Sequence, residues 1–429
     1  MCASLAVNVQ RAVSDYRGKV SAFQPSARFF LLHIVISGAA MGVFRLLFNF
    51  FVLSLGYDEA LLGNLVTVSS LVALLAALPM GYTADWLGRK RSLLFAVFLE
   101  ALAILLMVAF PSAAVFLVMS ALSGLGQSLA AVTVAPFLME NSSAEERTYL
   151  FSISSGLQMT MASVGNWIGG YLPGWLAISL QSEATSPTAY GAALLIIGSV
   201  LLLSLLPLAA IRATAAVRTE RTLFAPFAYF RQQPALLGRL IAPMFVTSIG
   251  AGLIMPFMNV FYRQVYHQSD PVIGALFAWG SLWMGVGLLL APPLADRWGK
   301  MNLVIGSQAL SIPFLILMGF APQFWLSAFA YYIRLALMNM SSPVYQAFVM
   351  ERVEPSARAT VSSLVSMSWN FGWAFSPTIS GWLQVRYGFA PPFIGTILLY
   401  CLSIYLYWAF FGRPQASPSP SAIKEIPVE

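Results

Sequence analysis

Charge is what this 429-residue sequence has least of. Asp, Glu, Lys and Arg make up 9% of it, against 59% hydrophobic residues and a mean hydropathy of +0.78. Soluble globular chains carry roughly 25% charged residues. So few charges cannot cover a water-facing surface, which excludes a soluble enzyme, a disordered protein and a nucleic-acid binder. Cysteine is nearly missing: Cys2 and Cys401 lie at opposite ends, so no disulfide framework can form. His33 and His267 are the two histidines, and no metal site is expected. There is no G-x-x-x-x-G-K-[ST] phosphate loop and no loop long enough for a nucleotide-binding domain. Residues 1–28 lack the apolar core and small-residue cleavage site of a signal peptide. They read as a cytoplasmic arm. No cofactor and no enzymatic activity are expected.

Long hydrophobic runs are what the sequence has in excess. A helix needs about 20 apolar residues to cross ~30 Å of hydrocarbon. Twelve such stretches occur, at about 29–55, 60–80, 91–110, 113–138, 148–175, 190–211, 240–265, 271–294, 301–320, 323–348, 358–385 and 391–411. The predicted fold is an all-α membrane protein. Two six-helix bundles, 29–211 and 240–412, are joined by a linker at 212–239 and followed by a Pro/Ser-rich cytoplasmic tail at 413–429. If both termini lie inside, nineteen of the 23 Lys and Arg residues fall on inner segments. Arg263 and Arg386 fall outside, while Arg45 and Arg334 lie within spans. That skew predicts cytoplasmic termini in a cytoplasmic membrane. It also accounts for the net charge of +7 without nucleic acid, because basic loops meet the anionic inner leaflet.

The halves repeat at an offset of 211. Asp85, Gly88 and Arg89 map onto Asp296, Gly299 and Lys300. Residues 136–172 align without a gap on 347–383, with nine identities in 37 positions, Glu140/Glu351, Arg147/Arg358 and Gly170/Gly381 among them. Six spans repeated in parallel place a solute site at midplane between the halves.

The loop after the second span reads Gly81-Tyr-Thr-Ala-Asp85-Trp-Leu-Gly88-Arg89-Lys90-Arg91. It resembles the signature loop of the major facilitator superfamily. The second copy, Pro292-Pro-Leu-Ala-Asp296-Arg-Trp-Gly299-Lys300, has Pro in place of the first Gly. Together with the spans and the repeat, the resemblance covers about residues 29–411. It implies alternating access by rocking of the halves. It also implies a cytoplasmic gating latch of Asp85, Arg89, Glu140 and Arg147, with Asp296, Lys300, Glu351 and Arg358 as the second copy. In span 5, Gly165-Asn166-Trp-Ile-Gly169-Gly170 resembles the G-P-x-x-G-G element of drug/proton antiporters, with Asn166 at the Pro position. Small-residue helix packing explains the same pattern.

Charges within the membrane are costly and mark functional candidates. Arg45, Glu100 and Arg334 are the deep ones, on spans 1, 3 and 10. The resemblance implies that spans 1, 4, 7 and 10 line the cavity. Arg45 and Arg334 are therefore expected to face each other across it, with Asn49, Gln127, Asn166, Asn259 and Trp369 as further solute-binding candidates. Asn49 and Asn259 are approximate mates under the repeat. Glu100 is either the proton-coupling acid or a structural partner of a polar neighbour. The expected function is secondary transport, leading with proton-coupled export of a small organic compound. Uptake or exchange of an anionic metabolite is the alternative, and a transporter-like sensor without flux a third reading. The partners expected are a small-molecule substrate, a proton or other coupling ion and the lipid bilayer. The expected state is a monomer.

Overall fold

The computed structural model describes residues 23–143, 147–211, 233–353 and 358–412, and these form twelve helical rods without a strand. We number them in chain order. In the first half they are α1 (Pro25–Ser54), α2 (Glu59–Leu87), α3 (Arg89–Ala109), α4 (Ala113–Glu140), α5 (Arg147–Leu180) and α6 (Pro187–Leu203, continued by Leu205–Ala210). In the second half α7 runs Pro234–Ile254, turns through the 3₁₀ segment Met255–Phe257 and resumes at Met258–Gln264. It is followed by α8 (Asp270–Trp298), α9 (Lys300–Phe320) and α10 (Phe324–Glu351). Broken α11 (Arg358–Trp373, then Ser376–Tyr387) and α12 (Ala390–Tyr407) complete the bundle. The α7 helix begins at Pro234, inside the segment read as linker. Residues 1–22, 212–232 and 413–429, which hold most of the expected arm, linker and tail, lie outside the described residues.

Local chemistry sets the helix ends. The Asp58 side chain accepts from the Leu61 amide (3.0 Å), and the Ser186 hydroxyl accepts from Ala189 (3.2 Å). Each satisfies a donor that the first turn leaves without a partner. Proline opens α1, α6 and α7, where its missing N–H costs nothing. The two repeat-related turns, α2–α3 and α8–α9, are made by Gly88 (φ 79°) and Gly299 (φ 84°). A side chain is disfavoured there, so the repeat extends to backbone geometry.

Nine of the described helices are long and apolar enough to cross a membrane, and α5, α10 and α11 are not among them. These three are diluted by polar residues: Gln158 and Asn166, Arg334 and Asn339, Asn370 and Thr378. Successive helices alternate in direction, so the turns at 55–58, 181–186, 265–269 and 388–389 share one face, the far face. The turns at Gly88 and Gly299, with residues 25 and 412, share the other, the terminal face. A buried apolar cluster runs continuously from Phe30, Leu46 and Phe50 of α1 to Phe257, Phe261 and Tyr262 of α7. A second cluster, around Leu240, Val304, Phe348 and Tyr407, belongs to the second half alone.

Candidate functional site

The halves meet along two seams, α2 against α11 and α5 against α8. Both are built from glycine. A Cβ on Gly63 of α2 would strike the carbonyl of Pro377, and one on Gly381 of α11 would strike the carbonyl of Glu59. On the other side, a Cβ on Gly274 of α8 would sit 2.5 Å from the Asn166 carbonyl oxygen. One on Gly170 of α5 would sit 2.7 Å from the Asp270 oxygen. Adding 211 to Gly63, Asn166, Gly170 and Glu59 gives Gly274, Pro377, Gly381 and Asp270. The seams are therefore repeat-related copies of one close helix crossing, the kind that small residues permit in lipid. Hydrogen bonds supplement both. Thr378 donates through its amide to Thr67 Oγ1 (3.2 Å) and through its hydroxyl to Asn64 (2.9 Å), and Ser163 donates to the Ala278 carbonyl (2.8 Å).

Between the seams, α1 meets the break in α7. The Asn49 amide donates to the Pro256 carbonyl (2.8 Å) and to Asn259 Oδ1 (2.9 Å), and Asn259 donates back to the Leu46 carbonyl (2.8 Å). The break explains the first bond. Carbonyls at an interrupted helix need outside donors at membrane depth, and Asn49 supplies one. The two repeat-related asparagines thus bind each other across the halves.

Toward the far face an ion network adds to the closure. Asp270 heads α8 and is 7% exposed. Its Oδ1 accepts from Arg263 Nη2 (2.6 Å), and its Oδ2 accepts from the Tyr190 hydroxyl (2.6 Å). Arg263 also donates to that hydroxyl and lies 3.9 Å above the Phe50 ring centre. Tyr190 and Phe50 belong to the first half, and Arg263 and Asp270 to the second. On the opposite seam Gln264 donates to Glu59 at 2.5 Å.

At the terminal face the polar contacts between described residues stay within each half. Arg89 donates to Asp85 (2.7 Å) and to Glu140 (3.0 Å). The second copy pairs Lys300 with Glu351, and Asp296 is exposed. Arg147 starts α5 with a buried Nε lacking a described partner. Arg358 starts α11, and its side chain lies outside the described set. Among the described residues, every hydrogen bond between the halves lies in the half of the molecule toward the far face. The described bonds therefore clasp the halves at that end.

The solute-binding candidates divide accordingly. Asn49 and Asn259 are buried and engaged with each other. Asn166 is half-buried with its carbonyl in the α5–α8 seam. Gln127 is exposed and donates to Ser123 (3.1 Å) and Ser69 (3.3 Å). Trp369 is half-buried on α11. Arg45 is exposed, with no hydrogen bond or ion pair among the described residues. Glu100 is half-buried on α3 beside Gly126 of α4, within electrostatic reach of Arg45. The two arginines do not face each other. Arg334 is 2% exposed and turns into the second bundle, where it donates to the Tyr400 hydroxyl of α12 (3.3 Å). Its helical phase on α10 points it at α12.

The sequence profile of the Major Facilitator Superfamily matches residues 30–267 and 240–428. The chain belongs to the major facilitator superfamily. A comparison with curated proteins finds no significant match. Among solved structures, a bacterial homologue of the human lysosomal transporter Spinster, inward-facing and unoccupied, superposes with a TM-score of 0.75 at 14% identity. That match covers 90% of this chain and 97% of the other. The nucleoside transporter NupG gives 0.70 at 14%, covering 91% and 99%. The D-xylose–proton symporter gives 0.67 at 16%, covering 89% and 97%. At such identities the likeness extends to the fold. As a superfamily member the chain is a multi-pass membrane protein of two pseudo-symmetric six-helix bundles. Sequence reading missed Tyr190 and Asp270 and took Arg263 as a loop charge. The available signal was an acid directly after a helix cap, Ser269-Asp270, repeat-related to Asp58-Glu59.

Proposed function

We propose that this protein is a secondary active transporter that moves a small organic solute across the cytoplasmic membrane by alternating access, as a proton-coupled exporter. The observation that carries the reading is the one-ended clasp. All described bonds between the halves lie toward the far face, which supports a solute route that opens toward the termini. The charge skew supports a cytoplasmic terminal face, hence a cytoplasm-open state ready to load solute. Glu100 supports proton coupling. A half-buried acid within a span, without a hydrogen-bond donor among the described residues and near one cation, is suited to taking and losing a proton as that cation moves. The Gly165–Gly170 element supports an antiporter, and here Asn166 and Gly170 meet α8 while Gly165 and Gly169 pack against α1. On this reading the latch residues Asp85, Arg89, Glu140, Asp296, Lys300 and Glu351 exchange partners when the cytoplasmic side closes. Arg147 and Arg358 are the flanking basic positions of that closure.

The second reading is exchange or uptake of an organic anion. It is favoured by Arg45, an exposed guanidinium on α1 without a described partner. A carboxylate or phosphate would engage it through two parallel hydrogen bonds.

Reconstitution in liposomes separates these readings. Under the export reading an imposed pH gradient drives solute accumulation, and Glu100→Gln abolishes that accumulation while leaving binding intact. Arg45→Lys keeps the charge but loses the planar fork. Under the anion reading it weakens affinity nearly as much as Arg45→Ala. Gradient-driven flux that survives Glu100→Gln removes the coupling role. Binding without any flux would make the protein a sensor. Reporter fusions after 58, 183 and 268 should report outside and those after 91, 225 and 415 inside. A cytoplasmic signal at 183 overturns the orientation.

A further inference from the structure

Arg334 is among the largest fully buried side chains of the molecule. A guanidinium presents five N–H donors and keeps its charge at any physiological pH. Here one of them reaches the Tyr400 hydroxyl at 3.3 Å, a long bond, and Nε has no partner. The Tyr400 ring centre lies 5.5 Å from the guanidinium carbon. Tyr331, one helical turn before on α10, is within electrostatic reach, and its hydroxyl makes no hydrogen bond among the described residues. No described carboxylate is available to this charge. Asp270 is held by Arg263 and Tyr190, Glu351 pairs with Lys300, and Asp296 is exposed at the terminal face. A buried charge without a counter-charge costs several kcal/mol. The Tyr400 hydroxyl, which accepts from this cation and can donate in turn, lies beside it, and Tyr331 shares the same face of α10. That combination suits an anion.

We propose that Arg334, Tyr400 and Tyr331 hold a small inorganic anion of the chloride class as a resident ligand of the second bundle, separate from the solute route. Size follows from enclosure. The site is walled by α7, where a Cβ on Gly250 would lie 2.7 Å from the Tyr400 ring, and by α8, where one on Gly280 would lie 2.8 Å from the Tyr331 ring. A ligand held among rings packed this closely against two helix backbones would be an ion rather than an organic solute. The ion would neutralise Arg334 and tie α10 to α12 through Tyr400. It would stay with the bundle as the halves rock, because all three residues belong to one half.

The test is thermal unfolding of the purified full-length protein in sodium chloride and in sodium gluconate at equal ionic strength. Chloride binding only the folded state should raise Tm by about 3 °C, saturably. Arg334→Gln should lose that response. Tyr400→Phe keeps the cation and should raise the half-saturating chloride concentration severalfold, which decides the matter if Arg334→Gln does not fold. Arg386→Ala, at an exposed arginine of the same half, should keep the full response. Equal Tm in the two salts, an unchanged response in Tyr400→Phe, or loss of the response in Arg386→Ala would each overturn the proposal.

Discussion

The two seams share a backbone and differ in their charges. At α2–α11, Gly63 meets Pro377 and Gly381 meets Glu59. At α5–α8, Gly274 meets Asn166 and Gly170 meets Asp270, each partner displaced by 211 residues. The side chains then diverge. Glu59 is half-buried and takes one hydrogen bond from the exposed Gln264. Asp270 is buried and takes two, from Arg263 and from Tyr190 of the other half. The repeat thus gives both seams one symmetric way for helices to approach, and an ion pair lies at only one of them. The ionic seam couples closure to a buried charge, which is expensive to uncover and to leave unpaired. The neutral seam relies on close packing and exposed polar contacts, whose individual worth is small.

The largest effect should come from breaking the ionic seam. Arg263→Ala leaves Asp270 buried without its cation, at a cost of about 3 kcal/mol or more to the far-closed state, a shift above a hundredfold. Spin labels at Glu183 and His267 should then report a longer distance, and an unchanged distribution would show that the network does not hold the far face. Tyr190→Phe removes one hydrogen bond to a charge, and should shift the same equilibrium by about tenfold.

Next come the glycines. Gly274→Val and Gly63→Val each place methyl groups against a backbone carbonyl of the other half. Overpacking of about 1–3 kcal/mol should oppose far-face closure. The two should act alike, because the crossings are copies. A difference above tenfold in cross-linking across the seams would mean that the shared geometry does not carry shared energetics.

The asparagine pair sharpens the comparison, since it lies between the seams and belongs to neither. Asn49→Ala and Asn259→Ala should each cost about 1–2 kcal/mol of the far-closed state, and the double variant no more than about 1 kcal/mol beyond either single one. Strict additivity would break the reading of a mutual clasp.

The smallest effects belong to exposed groups. Glu59→Gln, and Lys300→Met at the terminal face, should each change stability of the far-closed state by less than about 1 kcal/mol. A large loss in Lys300→Met would show that its pair with Glu351 is more than a contact within one half.

Much of this architecture was legible in one sequence. The hydrophobic runs located all twelve helices. The duplicated loop put Gly88 and Gly299 at equivalent turns, and both have the positive φ those turns require. The repeat also paired Asn49 with Asn259 as mates, though not as hydrogen-bond partners. The Gly165–Gly170 element was legible as close packing, and its partner helices, α1 and α8, were not. Arg263 was read as topogenic charge because nothing near it in sequence points to Tyr190, which lies 73 residues away.

Chain membership in a twelve-span, two-half membrane fold was determined by the sequence alone. Hydropathy and helix periodicity are local, and a repeat needs only itself for comparison. Depth was determined in the same way, since rise along a helix is fixed per residue. Direction around each helix was left to the tertiary structure. Arg45 and Arg334 look alike in sequence, each a lone arginine in an apolar span. One stays exposed and the other is enclosed beside Tyr400. Which of these occurs depends on the helices that surround the span, and those are brought together by packing between segments far apart in the chain.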